Sequence, residues 1–131
     1  MSAHTTFKIG GAADIFASVS SEEEISALIK LANKESVPYM VMGNGSNMLV
    51  GDGGIRGLVI HLGKNFSDIK TDGNLIYAKA GALMSSIAAS AAKASLTGFE
   101  TLAGIPGSLG GALYMNAGAY GGEIGAVVRN V

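Results

Sequence analysis

Glycine is the feature that most restricts how this chain can fold. The 131 residues include 20 glycines, about twice the usual share, and only 2 prolines. The mean hydropathy is +0.38 and the apolar residues keep helix and strand periodicity, so the chain is not a low-complexity segment. The glycines are therefore expected at turns and where the backbone approaches another group closely.

Composition excludes several classes of protein. The chain has no cysteine, which rules out disulfides and thiolate metal sites. A formal net charge of -1 provides no basic field for nucleic acid or an anionic membrane. No apolar run reaches the roughly 18 residues of a membrane span, and no secretion signal opens the chain. We expect one cytoplasmic domain with neither nucleic acid nor membrane as a partner.

The first third of the chain has the pattern of a βαβ-like unit. Alternating apolar residues predict a strand at Asp14–Val19, and a capping box formed by Ser21 and Glu24 predicts a helix directly after it. Pro38 ends this helix, and Tyr39–Met42 forms a second short strand.

Further elements are predicted in the rest of the chain. Strands are expected at Leu58–Leu62 and Leu75–Lys79, and a helix is expected from Leu83 to Leu96, with Gly98 as its C-terminal stop. The last five residues, VVRNV, have the pattern of the first half of a strand.

A short glycine loop after the second strand is the first candidate site. It consists of Gly43, Asn44, Gly45, Ser46 and Asn47. Converging backbone N–H groups and small polar side chains can form an anion nest there, although the same residues also build ordinary turns. Neither the dinucleotide fingerprint GxGxxG nor a P-loop is present, so a Rossmann fold is not supported.

A second glycine-dense segment near the end of the chain is the other candidate site. Its candidate binding residues are Gly104, Ile105, Pro106, Gly107, Ser108, Gly110 and Gly111, followed by Asn116, Ala117, Gly118, Ala119 and Tyr120. Such a backbone can lie flat against a planar or phosphorylated ligand, and the alternative is a connector between packed elements.

The remaining polar residues carry weaker signals. His4 and His61 are the only histidines, and no carboxylate lies at ligand spacing from them, so no metal site is expected. The acidic run Glu22–Glu24 fits the start of a helix better than a catalytic carboxylate pair.

Three segments in order carry a resemblance to a known family. HTTFKIGGAAD, GNGSNMLV and GIPGSLGGALYMNAGAYGGE resemble the flavin-binding half of the UDP-N-acetylenolpyruvoylglucosamine reductases, also called UDP-N-acetylmuramate dehydrogenases. The resemblance runs from Thr5 to Val131 and implies an α+β FAD-binding domain of the vanillyl-alcohol-oxidase type. Two small α/β subdomains would hold the cofactor between them, without a Rossmann fold.

The resemblance also implies roles for the two glycine segments. Gly43–Asn47 would lie against the FAD pyrophosphate, while Gly104–Gly111 and Asn116–Tyr120 would approach the ribityl chain and the isoalloxazine. No histidine stands in or near the phosphate loop for covalent attachment, so the FAD is expected to be non-covalent.

In the complete family enzyme, FAD passes a hydride from NADPH to the enolpyruvyl group of UDP-N-acetylglucosamine enolpyruvate. The product, UDP-N-acetylmuramate, serves peptidoglycan synthesis. The family's catalytic arginine, serine and glutamate lie in segments beyond residue 131, so no catalytic residue is assigned. Residues 1–131 are expected to be an FAD-binding fragment, without a substrate-binding domain and inactive alone. The alternatives are another FAD-dependent oxidase or dehydrogenase of this fold and a non-catalytic module that binds a phosphate ligand.

Overall fold

The computed structural model describes residues 1–131, which fold into two parts that each contain sheet and helix. The first part holds β1 (Ala13–Ser18), α1 (Glu22–Lys34), β2 (Tyr39–Met42) and β3 (Ile55–His61). The second holds β4 (Ile69–Asp72), β5 (Leu75–Ala78), α2 (Met84–Lys93), α3 (Leu109–Tyr114), β6 (Gly118–Ala119) and β7 (Gly122–Glu123). No helix is long and apolar enough to cross a membrane.

The first part is built on a three-stranded parallel sheet with the order β1-β3-β2. Leu58, Val59 and Ile60 of the central strand are all buried, because one face of the sheet packs against α1 and the other against the N-terminal residues and the segment after β2. The βαβ-like prediction is thus right about the elements. It needs one correction: β3 lies between β1 and β2, so the two strands that α1 connects are not neighbours.

Helix α1 begins where the capping box predicts. The Ser21 hydroxyl accepts a hydrogen bond from the Glu24 N–H at 3.3 Å. The Glu24 carboxylate in turn accepts from the N–H of Ser20 at 2.6 Å, one residue before the cap. The first bond satisfies an amide group that the first turn of a helix leaves free, and the second binds the residue before the cap to that turn.

Two strands differ from the prediction because tertiary pairing extends or creates them. Strand β3 begins at Ile55, three residues before the predicted Leu58, because Arg56 and Gly57 are fixed to Asp14 of β1. The Asp14 carboxylate pairs with the Arg56 guanidinium at 2.6 Å and accepts from the Gly57 N–H at 2.8 Å. Strand β4 has no apolar alternation and was not predicted, and it forms by antiparallel pairing with β5.

The second part corrects three further predictions. Helix α2 ends at Lys93 rather than Leu96, since Ser95 adopts a left-handed φ of 55° and the Leu96 N–H bonds back to the Ala91 carbonyl. The glycine-dense segment is not only a connector, because it contains α3 and a tight β6–β7 hairpin. The last five residues form no strand.

The left-handed Ser95 gives a test of this helix end. Because a residue with a Cβ is strained at positive φ, Ser95→Gly is expected to raise the free energy of unfolding by about 0.5–1 kcal/mol in chemical denaturation. The control is Ala89→Gly at an exposed position inside α2, which should lower it by about 1 kcal/mol. Destabilisation by both variants would contradict this account of the helix end.

Candidate cofactor-binding site

The two glycine segments meet across one cavity of about 560 Å³. Of the predicted residues, twelve line it: Gly43, Asn44, Gly45, Ser46, Asn47, Ile105, Pro106, Gly107, Ser108, Gly110, Gly111 and Ala117. Segments sixty residues apart in sequence therefore form a single site between the two parts of the fold.

A direct hydrogen bond joins the two loops. The Ser46 hydroxyl donates to the Pro106 carbonyl at 2.7 Å. Next to it, a Cβ on Gly107 would lie 3.0 Å from the same hydroxyl oxygen, so the glycine permits this close approach. The contact fixes how far apart the two loops stand.

Ser108 is the most unusual polar residue of the cavity. Its side chain is only 2% exposed, and its hydroxyl makes no hydrogen bond, neither as a cap of α3 nor elsewhere. The hydroxyl packs against Gly43, where any Cβ would overlap it. Because an unpaired buried hydroxyl costs about 1–3 kcal/mol, this group has the character of a ligand-binding group.

The first loop is supported from behind by the N-terminal segment. Gly45 has a φ of +64°, and a Cβ there would overlap the carbonyl oxygen of His4. The Thr6 N–H also donates to the Gly45 carbonyl at 3.2 Å. The path of the loop is thus set by backbone contacts as well as by its own sequence.

The two histidines lie behind this loop rather than in the cavity. The His4 ring stacks on Phe16 with centroids 4.0 Å apart, and His61 lies 5.3 Å from Phe16. The Nδ1 atom of His61 is 3.0 Å from the Ser18 hydroxyl. Burial, with a smaller effect of the charge on His4, lowers the pKa of His61.

Five predicted residues stand outside the cavity lining. They are Gly104, Asn116, Gly118, Ala119 and Tyr120. The Asn116 side chain instead joins parts of the hairpin, donating to the Glu123 carboxylate at 2.9 Å and accepting from the Gly125 N–H at 3.0 Å. Tyr120 is 90% exposed in the hairpin turn. A cofactor contact for these five residues stays a prediction.

Sequence reasoning missed the apolar side of the cavity. The further lining residues are Met40, Val41, Met42, Met48, Leu62, Ala80, Ala112, Tyr114 and Met115. Strand β2 and helix α3 supply most of them. Tyr114 and Met115 carried a readable signal, because they follow Gly110 and Gly111 by four residues and so share their helix face.

The lining contains no Asp, Glu, Lys, Arg or His. An anionic group in this cavity would therefore have only backbone N–H groups and neutral hydroxyl and amide groups as partners, as in an anion nest. No side chain with a carboxyl, imidazole or ammonium group is available for proton transfer. Among the lining side chains, only the Tyr114 phenol is ionisable.

A larger groove of about 960 Å³ lies elsewhere, between the β4–β5 hairpin, α2 and the last residues of the chain. It contains none of the predicted site residues, and of the ranges Gly43–Asn47 and Gly104–Gly111 it includes only Leu109. Volume alone therefore does not identify the site, and the presence of both glycine loops and the unpaired Ser108 hydroxyl favours the smaller cavity.

These features define an α+β domain in which two glycine-rich segments line one cavity without charged side chains. Residues 13–131 match the model of the FAD binding domain family, and the chain belongs to that family. The fold class predicted from the motif resemblance is confirmed, and FAD is the cofactor.

Proteins similar to this chain have names that agree with an FAD-binding function. The chain is 48% identical over 131 residues to the UDP-N-acetylenolpyruvoylglucosamine reductase of Clostridioides difficile, covering 100% of this chain and 43% of that protein. It is 51% identical over 129 residues to the enzyme of the same name from Clostridium botulinum, covering 98% of this chain and 42% of that protein.

A solved structure is also similar. The crystal structure of UDP-N-acetylenolpyruvylglucosamine reductase from Thermus caldophilus matches with a TM-score of 0.74 and 39% identity, over 93% of this chain and 42% of that one. The resemblance drawn from the three motifs is thereby confirmed. The chain spans less than half the length of the relatives it matches.

The contact between Gly43 and Ser108 can be tested by substitution. Gly43→Ala places a methyl group onto the Ser108 hydroxyl and should lower the free energy of unfolding by about 1–3 kcal/mol in chemical denaturation. Gly51→Ala is the control, since nothing lies within 4 Å of a Cβ there. In Gly43→Ala combined with Ser108→Ala, the loss should be smaller, because the overlapping oxygen is gone. If the double variant changes the free energy of unfolding by the sum of the two single changes, the contact is contradicted.

The lowered pKa of His61 predicts a dependence of stability on pH. The unfolded chain takes up a proton on this ring at about its ordinary value of 6.5, before the folded chain does. The stabilisation by neutral His61 is complete above that value and is lost as the pH falls through the lower folded pKa. Denaturation at several pH values between about 5.5 and 7.5 should show this loss, and His61→Gln should reduce it. An equal slope for both proteins would contradict the shift.

Proposed function

We propose that this chain binds FAD without a covalent bond in the cavity between the two glycine loops, and that it is the FAD-binding part of a UDP-N-acetylenolpyruvoylglucosamine reductase. The observation that carries the proposal is the buried, unpaired hydroxyl of Ser108. It lies where both loops converge, in a cavity without charged side chains.

The donors present fit the pyrophosphate of a dinucleotide. Gly43–Asn47 offers backbone N–H groups and the side chains of Asn44, Ser46 and Asn47, and the opposite loop offers Ser108. Hydrogen bonds from neutral donors to a phosphate oxygen are among the stronger ones in proteins, because the acceptor is charged. Gly43 is needed because any larger residue would fill the space beside the Ser108 hydroxyl.

The remaining predicted residues are proposed to lie along the rest of the cofactor. Gly104–Gly111 would follow the ribityl chain, and Asn116–Tyr120 would approach the isoalloxazine at the hairpin end. This arrangement is supported because Ile105–Ser108 and Ala117 line the same cavity.

For the complete protein, we propose the reaction that the relatives' names describe, with NADPH as hydride donor and a UDP-sugar as substrate, in the cytoplasm and in the service of peptidoglycan synthesis. Bound FAD would supply the hydride relay between these two substrates. The residues of this chain bind and orient it. Because the cavity lining lacks an ionisable proton donor apart from Tyr114, the proton that completes the addition is proposed to come from outside it.

The first experiment is to add FAD to the purified chain, remove the unbound cofactor by desalting and record the visible flavin absorption. Retention of the flavin band is expected. FAD at about one hundred times its Kd should add about 2.7 kcal/mol to the free energy of unfolding and raise the Tm. A folded chain that neither retains FAD nor gains stability from it would overturn the proposal.

Ser108→Ala separates binding from folding. Without FAD, the variant should be as stable as the parent or more stable, because it removes an unpaired buried hydroxyl. Its Kd for FAD should rise about tenfold or more in a fluorescence titration, through loss of a hydrogen bond to a charged acceptor. Ser85→Ala, exposed on α2, should change neither quantity. A Ser108→Ala variant that loses stability yet keeps its affinity would assign Ser108 to the fold alone.

A further inference from the structure

The two faces of helix α3 contact different parts of the molecule. Leu109, Ala112 and Leu113 belong to the apolar core of the second part of the fold. The opposite face carries Gly110, Gly111, Tyr114 and Met115, all of which line the cavity. The spacing of three and four residues within each set places its members on one side of the helix.

On the cavity face of α3, two glycines are followed one turn later by two large side chains. Gly110 packs so closely on Ala80 that a Cβ would stand 2.9 Å from the Ala80 Cβ. One turn later, Tyr114 is 90% exposed and Met115 is 56% exposed. At 1.5 Å per residue, Tyr114 stands about 9 Å along the helix axis from Ser108.

From this geometry we propose that Tyr114, with Met115 beside it, is the platform on which the isoalloxazine ring of FAD stacks. The proposal rests on the proposed function, since it starts from a pyrophosphate at Ser108. The ribityl chain would then run past Gly111, which is exposed and where the absence of a side chain leaves room for it. The ring system would then lie at the next turn of the helix, beside Tyr114.

Tyr114 is the only aromatic residue in the cavity lining, so no other side chain there offers a flat face. Aromatic rings prefer offset stacking, and a thioether also packs favourably at a ring edge. Tyr114 is 90% exposed, so a flat ring that covers it would remove apolar surface from water.

The exposure of Tyr114 favours the isoalloxazine over the adenine of the same cofactor. Hydride has to enter and leave the flavin through reactants that arrive from solution, so its ring belongs at an open part of the site. The adenine ring takes no part in hydride transfer and has no such requirement.

The test compares two substitutions of Tyr114 in the intact chain. Tyr114→Leu removes the ring, and its Kd for FAD should rise about five- to tenfold in a titration. Tyr114→Phe keeps the flat face, so its Kd should stay within about twofold of the parent. Tyr77→Leu is the control: this tyrosine is also exposed, but it lies on β5 at the other groove.

The fluorescence of saturated, bound flavin supplies a second readout. A phenol stacked on the isoalloxazine quenches its excited state by donating an electron, and neither phenylalanine nor leucine does so. Both Tyr114 variants should therefore bind a flavin that is brighter than in the parent. The Tyr77→Leu control should leave the brightness unchanged.

Different failures are distinguishable. If the parent chain binds no FAD, the proposed function fails and this inference fails with it. If the parent binds FAD and Tyr114→Leu changes neither affinity nor brightness, only the platform is overturned. Weaker binding of ADP by Tyr114→Leu, with unchanged FMN binding and flavin brightness, would place adenine on the ring and also overturn the proposal.

Discussion

The close approach of the two glycine loops is the constraint on which the rest of this molecule depends. Gly43 lies against the Ser108 hydroxyl, and the Ser46 hydroxyl reaches the Pro106 carbonyl at 2.7 Å. The loops can approach this closely because Gly43 and Gly107 have no side chain to fill the space between them. The two parts of the fold, each with its own apolar core, are thereby brought close enough to share one ligand site.

The chemistry of that site follows from its lack of charge. A phosphate in the cavity would meet amide and hydroxyl dipoles, because the lining has no ammonium or guanidinium group. Fixed dipoles hold a ligand in one orientation, and they leave proton transfer to other groups. The domain therefore suits the task of presenting a flavin ring at a set place.

Agreement between sequence and structure is best where the signal is local. Ser21 and Glu24 mark the start of α1, and Tyr39–Met42 is a strand with the predicted limits, because caps and apolar runs act within a few residues. Agreement is poorer where the limits of an element depend on tertiary contacts or on an unusual backbone conformation. Strand β4 exists through pairing with β5, and α2 ends at Lys93, two residues before Ser95, whose left-handed conformation serine seldom adopts.

The sequence by itself determined the two glycine loops, the helix with its cap and, through the order of three motifs, the family. It did so because turn formation, capping and apolar periodicity are properties of neighbouring residues. Only the tertiary structure decided that Ser108 is buried without a partner, that Asn116 joins hairpin residues, and that Tyr114 faces the cavity. These are facts about which surfaces meet, and chain segments sixty residues apart meet only once both cores have formed.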